Sequence, residues 1–175
     1  ISDAKSAPKV VAVAEQLKYS AEDLRNAKKV LLLEGIKDAG NLGTILRTSV
    51  AFGVDGIVLY GNTVDLYNPK CVRSAVGNLW KIPVISINNL VELEELFCGF
   101  ERVATLPKGK NVVNLKDYVA PEKVLIMFGS EADGLSDELK GFATRNVTIE
   151  MSKDVESLNL SVSASVVMYK IKQIQ

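Results

Sequence analysis

Glu156-Ser157-Leu158-Asn159-Leu160-Ser161-Val162-Ser163-Ala164-Ser165, continued as VVMYKIKQIQ to Gln175, threads small hydroxyls and one amide through an apolar segment. The polar residues alternate with Leu158, Leu160, Val162 and Ala164, a period of two that suits a strand. Length decides otherwise. Too many residues remain for one strand, and no turn residue interrupts them. The spacing predicts a helix over Leu158–Ile174 with Ser157 and Asn159 at its start. On that helix Ser161, Ala164, Ser165 and Met168 share a face at i, i+3, i+4 and i+7. Side chains this small let another helix approach closely, so the serines beyond Ser161 fit a packing role as well as a chemical one.

Upstream, short runs rich in Val, Ile and Leu alternate with helical patterns. The expected strands are Val30–Glu34, Gly56–Tyr60, Val84–Ile87, Arg102–Leu106, Val124–Phe128 and Asn146–Glu150. Strands buried on both faces have this composition. The expected helices are Asn41–Phe52, Pro69–Gly77, Val91–Phe97 and Ser136–Ala143, followed by the last segment. The alternation predicts an α/β fold, a mostly parallel sheet with helices on both faces. Val10–Ala14 (VVAVA) reads either as a further strand or as the end of a preceding unit.

The totals narrow the function. A chain of 175 residues, 47% hydrophobic and 24% charged, is long enough for one domain with a real core. No apolar run approaches the ~20 residues of a membrane span, and the first residues lack a signal peptide's apolar stretch. Cys71 and Cys98 have neither zinc-knuckle nor C-x-x-C spacing. A cytoplasmic protein is expected. Histidine is absent, which removes Ser-His-Asp chemistry and histidine-based metal sites. No metal is expected. Basic and acidic residues number 21 each. A nucleic-acid binder usually carries basic excess, so an RNA-directed chain of this composition must cluster its cations or draw affinity from another segment.

Ligands of open α/β sheets sit at the carboxyl ends of strands. Three polar turns occupy such positions here. In Asp38–Thr48, Asn41, Thr44 and Thr48 share a helical side with Arg47 at its edge. Asn41 by itself reads first as a helix cap. Arg47 is the only charge in Asn41–Val54 and calls for an anionic partner, and its planar fork suits a phosphate. In Phe128–Ser136, two glycines flank Glu131 and Asp133, and glycine permits left-handed backbone and close approach. Ser136, Asp137 and Glu138 form an ordinary helix start. Glu131 precedes it and has no capping role, which marks it for chemistry. The third turn is the opening segment, where Ser157 and Asn159 join free helix N–H groups.

At this point the chain resembles the SpoU/TrmH-type RNA ribose 2′-O-methyltransferases of the SPOUT superfamily. GNLGTILRTSVAFG is similar to their N-x-G-x-x-x-R-T motif, LIMFGSEADGLSDE to G-x-E-x-x-G, and IEMSKDVESLNLSVSAS to the motif ending S-L-N-x-S-V. VRSAVGNLWKIPV resembles the segment between the first two. Asn78 stands where the family often has alanine, and Glu150-Met151 replaces proline-methionine. The resemblance runs from about Lys28 to the end. Residues 28–175 are therefore expected to be the methyltransferase domain, and 1–27 the remnant of a preceding RNA-binding domain.

The resemblance implies a C-terminal trefoil knot, which periodicity would never suggest. It implies S-adenosylmethionine held at Thr105, Leu106, Gly109, Phe128, Gly129, Ile149, Met151 and Leu158. It implies catalytic roles for Asn41, Arg47, Glu131, Ser157 and Asn159, in an obligate homodimer whose active site borrows Arg47 of the partner subunit. The expected substrate is ribosomal RNA. Transfer RNA is the alternative, as is a non-catalytic RNA-binding protein or another nucleotide enzyme on a flavodoxin-like sheet.

Overall fold

The computed structural model describes Val10, residues 12–155 and residues 157–172. Among these residues seven strands form one sheet: β1 Lys29–Glu34, β2 Gly56–Tyr60, β3 Val84–Ile87, β4 Glu101–Thr105, β5 Val113–Asn114, β6 Val124–Phe128 and β7 Arg145–Thr148. Their order is β3-β2-β1-β6-β4-β7-β5, and every neighbouring pair is parallel. The helices are α1 Ala39–Phe52, α2 Pro69–Ala75, α3 Leu90–Leu96, α4 Asp137–Phe142 and α5 Leu160–Lys172. Two 3-10 turns cover Ala21–Leu24 and Asn78–Lys81.

The pleat of β1 sorts two cores. Leu31 and Leu33 face α1, α2 and α5 through Leu42, Leu46, Cys71, Ala164 and Met168. Val30 and Leu32 face the opposite layer through Leu24, Leu93, Leu139 and Phe142. Alternate residues of a strand point to opposite faces, so a strand with both faces covered must be apolar throughout. This is why VLLLE and VLIMF are greasy runs rather than alternating ones.

All six expected strands are present; β2, β3 and β6 keep the expected ends, and those of β1, β4 and β7 shift by one or two residues. β5 was not foreseen, because two residues carry no period. Among the described residues of Val10–Ala14, Val10 and 12–14, none belongs to a strand, and Val11 lies outside the described residues. The expected helix Pro69–Gly77 stops at Ala75, since Val76 and Gly77 adopt left-handed backbone. The last helix begins at Leu160 rather than Leu158, and residues 173–175 lie outside the described residues.

Close helix packing sets the geometry of the first turn. A Cβ on Gly43 would sit 2.5 Å from the Cys71 carbonyl oxygen and 2.6 Å from the Ser74 Cβ, so only glycine lets α1 lie this near α2. On the other flank of α1, buried Ser49 donates to the Met168 thioether of α5 at 3.4 Å. The small-residue face of α5 is thus the seat of α1. At the opposite edge, Leu24 occupies the space that Gly56 leaves by having no side chain.

The cap of α1 corrects one expectation. Asp38, not Asn41, is the N-cap, and its carboxylate accepts from Asn41 N at 2.9 Å. Two polar residues three apart compete for that role, and Asp38 is backed by Lys70 at 2.6 Å. The Lys70 ammonium and the backbone N–H of Asn41 hold the Asp38 carboxyl below the ordinary aspartate range. Its contribution is therefore fully present above the unfolded pKa and is lost as pH falls through the lower folded value. Asp38→Ala is expected to cost ~1 kcal/mol and lower Tm by about 2–4 °C, measured by thermal denaturation near neutral pH. The deficit relative to wild type should shrink below the folded pKa.

Candidate active site

Because every strand runs the same way, the segments after β1, β4, β6 and β7 emerge at one edge of the sheet. There the segments after β4, β6 and β7 enclose a cavity of about 540 Å³. Thr105, Leu106 and Pro107 come from the end of β4, Phe128 to Leu135 from the end of β6. Ile149, Met151 and residues 157–160 follow β7. Of the residues expected to hold a cofactor, Thr105, Leu106, Phe128, Gly129, Ile149, Met151 and Leu158 all line it. Gly109 does not; the chain turns outward after Pro107, and Gly109 is exposed.

The turn after β6 owes its shape to its two glycines. Ser130 and Gly134 exchange backbone hydrogen bonds of 3.2 and 3.0 Å, with Gly134 at φ 67°. A Cβ on Gly129 would lie 1.9 Å from Gly134 C and 2.1 Å from Leu135 N. The close approach that requires glycine at 129 is thus made by the turn's own backbone. Behind it, the Glu34 carboxylate accepts from Ser136 N at 2.7 Å, and the Tyr60 hydroxyl donates to Glu138 at 2.7 Å. Burial, reinforced by the Glu138 carboxylate, pushes the Tyr60 hydroxyl up to about 12, so it remains a donor. The Ser136 hydroxyl caps α4 as expected.

Three polar side chains from three separate segments meet at the cavity rim. Asn159 Nδ2 donates to Asn41 Oδ1 at 3.1 Å, and Asn41 Nδ2 donates to Glu131 Oε1. Asn159 Oδ1 also accepts from Ser161 N at 2.9 Å and Ser161 Oγ at 2.7 Å, which starts α5. Ser165 Oγ donates back to the Ser161 carbonyl at 2.7 Å. The polar opening of the last segment therefore has separable uses: Asn159 caps and links, Ser161 and Ser165 satisfy backbone and cap, and Ser157 and Ser163 line the cavity. Arg47 lies outside this chain's cavity. It is exposed on α1 and makes no ion pair among the described residues.

Sequence reasoning missed part of the lining. Leu160, Ser163 and Val167 stand three and four apart on α5 and turn one face to the cavity. That spacing was visible, but which face met the ligand side was not. It also left open what Glu150 does in place of proline. Glu150 accepts from Asn114 at 2.8 Å and pairs with Lys116 at 3.1 Å, fastening the segment after β7 to β5. The Lys116 ammonium, with Asn114, holds its carboxyl below the usual range.

An apolar-walled cavity with a rim of amide, carboxylate and hydroxyl groups suits a nucleoside-like ligand. The comparisons agree with this geometry. The profile of the SpoU rRNA Methylase family matches residues 28–169. An uncharacterised tRNA/rRNA methyltransferase of Synechocystis is 37% identical over 86% of the chain and 55% of its own length. The 23S rRNA (guanosine(2553)-2′-O)-methyltransferase RlmP of Bacillus subtilis is 32% identical over 86% of the chain and 60% of its own. The AdoMet-bound rRNA methyltransferase from Sinorhizobium meliloti superposes with a TM-score of 0.81 at 27% identity, covering 89% of this chain and 61% of that one. The chain thus spans little more than half the length of these relatives. Its three turns converge where its sequence motifs require, and over most of its length it belongs to the SpoU rRNA Methylase family.

Proposed function

We propose that the protein is an S-adenosylmethionine-dependent methyltransferase acting on a ribose 2′-hydroxyl of RNA, ribosomal RNA first. The observation that carries this is the Asn159–Asn41–Glu131 chain of hydrogen bonds at the rim of the cavity. A scaffold protein has no need to align a carboxylate there.

The residues present fit the cofactor. The cavity volume is within the range of small-molecule sites. Leu106, Ile149 and Leu158 offer apolar walls for an adenine ring, and Glu131 and Asp133 supply negative charge that suits a sulfonium. When bound, S-adenosylmethionine supplies a methyl group already activated for transfer. The chain's own work is then to hold the acceptor ribose in line and to manage its proton. Asn41 fixes one oxygen of Glu131, leaving the carboxylate oriented along the rim. Ser157 adds a hydroxyl to the same cavity lining. The Arg47 guanidinium is a planar fork of N–H donors with no acceptor to take up a proton. It orients the phosphate next to the ribose or stabilises oxygen charge as it develops, and it does not act as a base.

Several wider features belong to this reading. The knot is supported by interleaved crossovers: β6 connects to β7 across β4, and β4 connects to β5 across β7, both at the cavity edge. A homodimer is supported by an exposed apolar stripe on α5, Val162, Val166 and Tyr169, beside the α1 helix that carries Arg47. In that dimer each Arg47 serves the other protomer's cavity. Residues 1–27 would lead from an RNA-binding unit that supplements a chain of zero net charge. No helix among the described residues is long and apolar enough to cross a membrane, and the proposed substrate puts the protein in the cytoplasm.

Calorimetric titration with S-adenosylmethionine tests the core of this reading. One site per chain with saturable heat is expected, and Glu131→Gln should lower methyl transfer to RNA by about 10²-fold even at saturating cofactor. A chain that binds no cofactor would be a scaffold instead.

A further inference from the structure

The turn between α2 and the Asn78–Lys81 3-10 turn is unusual. Val76 and Gly77 are both left-handed, at φ 49° and 75°. A β-branched residue avoids that backbone, and it persists only where its surroundings enforce it. Asn78 does so. Its Nδ2 donates to the Ala75 carbonyl at 2.9 Å and the Val76 carbonyl at 3.3 Å, acceptors left over at the end of α2. The turn so fixed leaves Val76 62% and Trp80 44% exposed, while Leu79 between them anchors it in the core.

The charge around this turn is one-sided. From Leu66 to Val91 the chain has Lys70, Arg73 and Lys81 and no carboxylate, and α1 carries Arg47 as its only charge. Arg73 and Lys81 are exposed and unpaired among the described residues. α1 and α2 run side by side in a steady register, in which Asp38 pairs with Lys70 and Gly43 meets Ser74. Beyond α2, the 3-10 turn that carries Trp80 and Lys81 packs on α1, the helix of Arg47. A chain with no net charge thus carries Arg47, Arg73 and Lys81 on three elements that pack together and present an exposed indole.

We propose that Trp80, Lys81, Arg73 and Arg47 form a landing surface for single-stranded RNA. Trp80 stacks a base next to the nucleotide whose ribose Arg47 meets, and Lys81 and Arg73 take the flanking phosphates. Aromatic side chains framed by cations recognise unpaired nucleotides in this way. The surface extends the proposed function, since it rests on Arg47 acting at the acceptor. Asn78 is the residue that holds the platform in place.

Trp80 is the sole tryptophan, so intrinsic emission reports on it alone. The chain is titrated with a single-stranded oligouridine of about 12 nucleotides, long enough for such a site. Emission should be quenched along the same isotherm as the anisotropy of a labelled oligonucleotide, and binding should weaken with added salt. Trp80→Ala should weaken binding about 5- to 100-fold, Trp80→Phe less, both with unchanged elution volume and unchanged affinity for S-adenosylmethionine. Arg73→Glu with Lys81→Glu should flatten the salt dependence by about one phosphate contact each. Saturable RNA binding with unaltered Trp80 emission would overturn the proposal. So would no binding of the oligonucleotide, or emission that shifts on dilution as a second copy uncovers the indole. Failure of the methyltransferase reading is distinct: it leaves the quench intact while cofactor binding and methyl transfer are missing.

Discussion

Replacing Arg47 by lysine should lower methyl transfer by about 10²- to 10³-fold, the effect of losing one well-placed donor to a developing oxygen charge. The loss should fall on kcat at saturating cofactor and RNA. Lysine keeps the charge but not the planar fork, so it cannot span two oxygens of a phosphate or of a phosphate and a ribose. Cofactor affinity should not change, because in the proposed site Arg47 meets the acceptor ribose and its phosphate rather than the methyl donor. Nor should Tm, because the side chain is exposed and unpaired among the described residues. The same residue tests the dimer. Arg47→Ala and Glu131→Gln chains are each nearly inactive as homodimers. Mixed dimers hold one site with both groups intact if Arg47 acts across the interface, giving about a quarter of wild-type activity at equal mixing. No recovery would mean that Arg47 serves its own chain. Near-normal turnover by Arg47→Lys would reject its positioning role.

Gly129→Ala should abolish cofactor binding. The added methyl would meet Gly134 C at 1.9 Å and its carbonyl oxygen at 2.1 Å, and backbone cannot swing aside as a side-chain end can. Relief requires opening the Ser130–Gly134 bridge, which carries Glu131 and one wall of the cavity. Overpacking of this kind costs ~1–3 kcal/mol, a Tm loss of roughly 3–10 °C, and cofactor affinity should fall at least ~100-fold. Gly141→Ala is the control. It lies in α4 with no atom near its would-be Cβ, so the change should leave affinity alone and raise stability by ~0.5–1 kcal/mol. Wild-type affinity in Gly129→Ala would mean that the turn after β6 does not shape the site.

Much of this fold was legible because its strands are covered on both sides. VLLLE, GIVLY and VLIMF could be nothing but central strands once helical patterns separated them. What local pattern could not supply was geometry set by distant partners. Asn41 looked like a cap, and the cap fell to Asp38 because Lys70, far along the chain, supports it. Val76 has the side chain least suited to left-handed backbone, so no propensity argument would end α2 there; the Asn78 amide does it. The grip of Glu150 depends on Asn114 and Lys116, which reach it only after β5 and β7 have paired. The site was legible through chemistry that lacked a local excuse. Glu131 precedes its helix, and Arg47 is a lone charge in an apolar stretch. Ser163 and Val167 carried no such mark, and only the seating of α5 against α1 brings them to the cavity.

The most direct measurement uses the stability of RNA in alkali. A ribose with a methylated 2′-oxygen cannot attack its neighbouring phosphodiester, so that linkage survives where all others break. RNA incubated with the protein and methyl-labelled S-adenosylmethionine, then hydrolysed in base, should carry its label in alkali-resistant dinucleotides, and Arg47→Ala should remove it. Label recovered in mononucleotides would place the methyl on a base, and unlabelled RNA would deny transfer altogether; either result contradicts a site that aims a cofactor at a ribose hydroxyl.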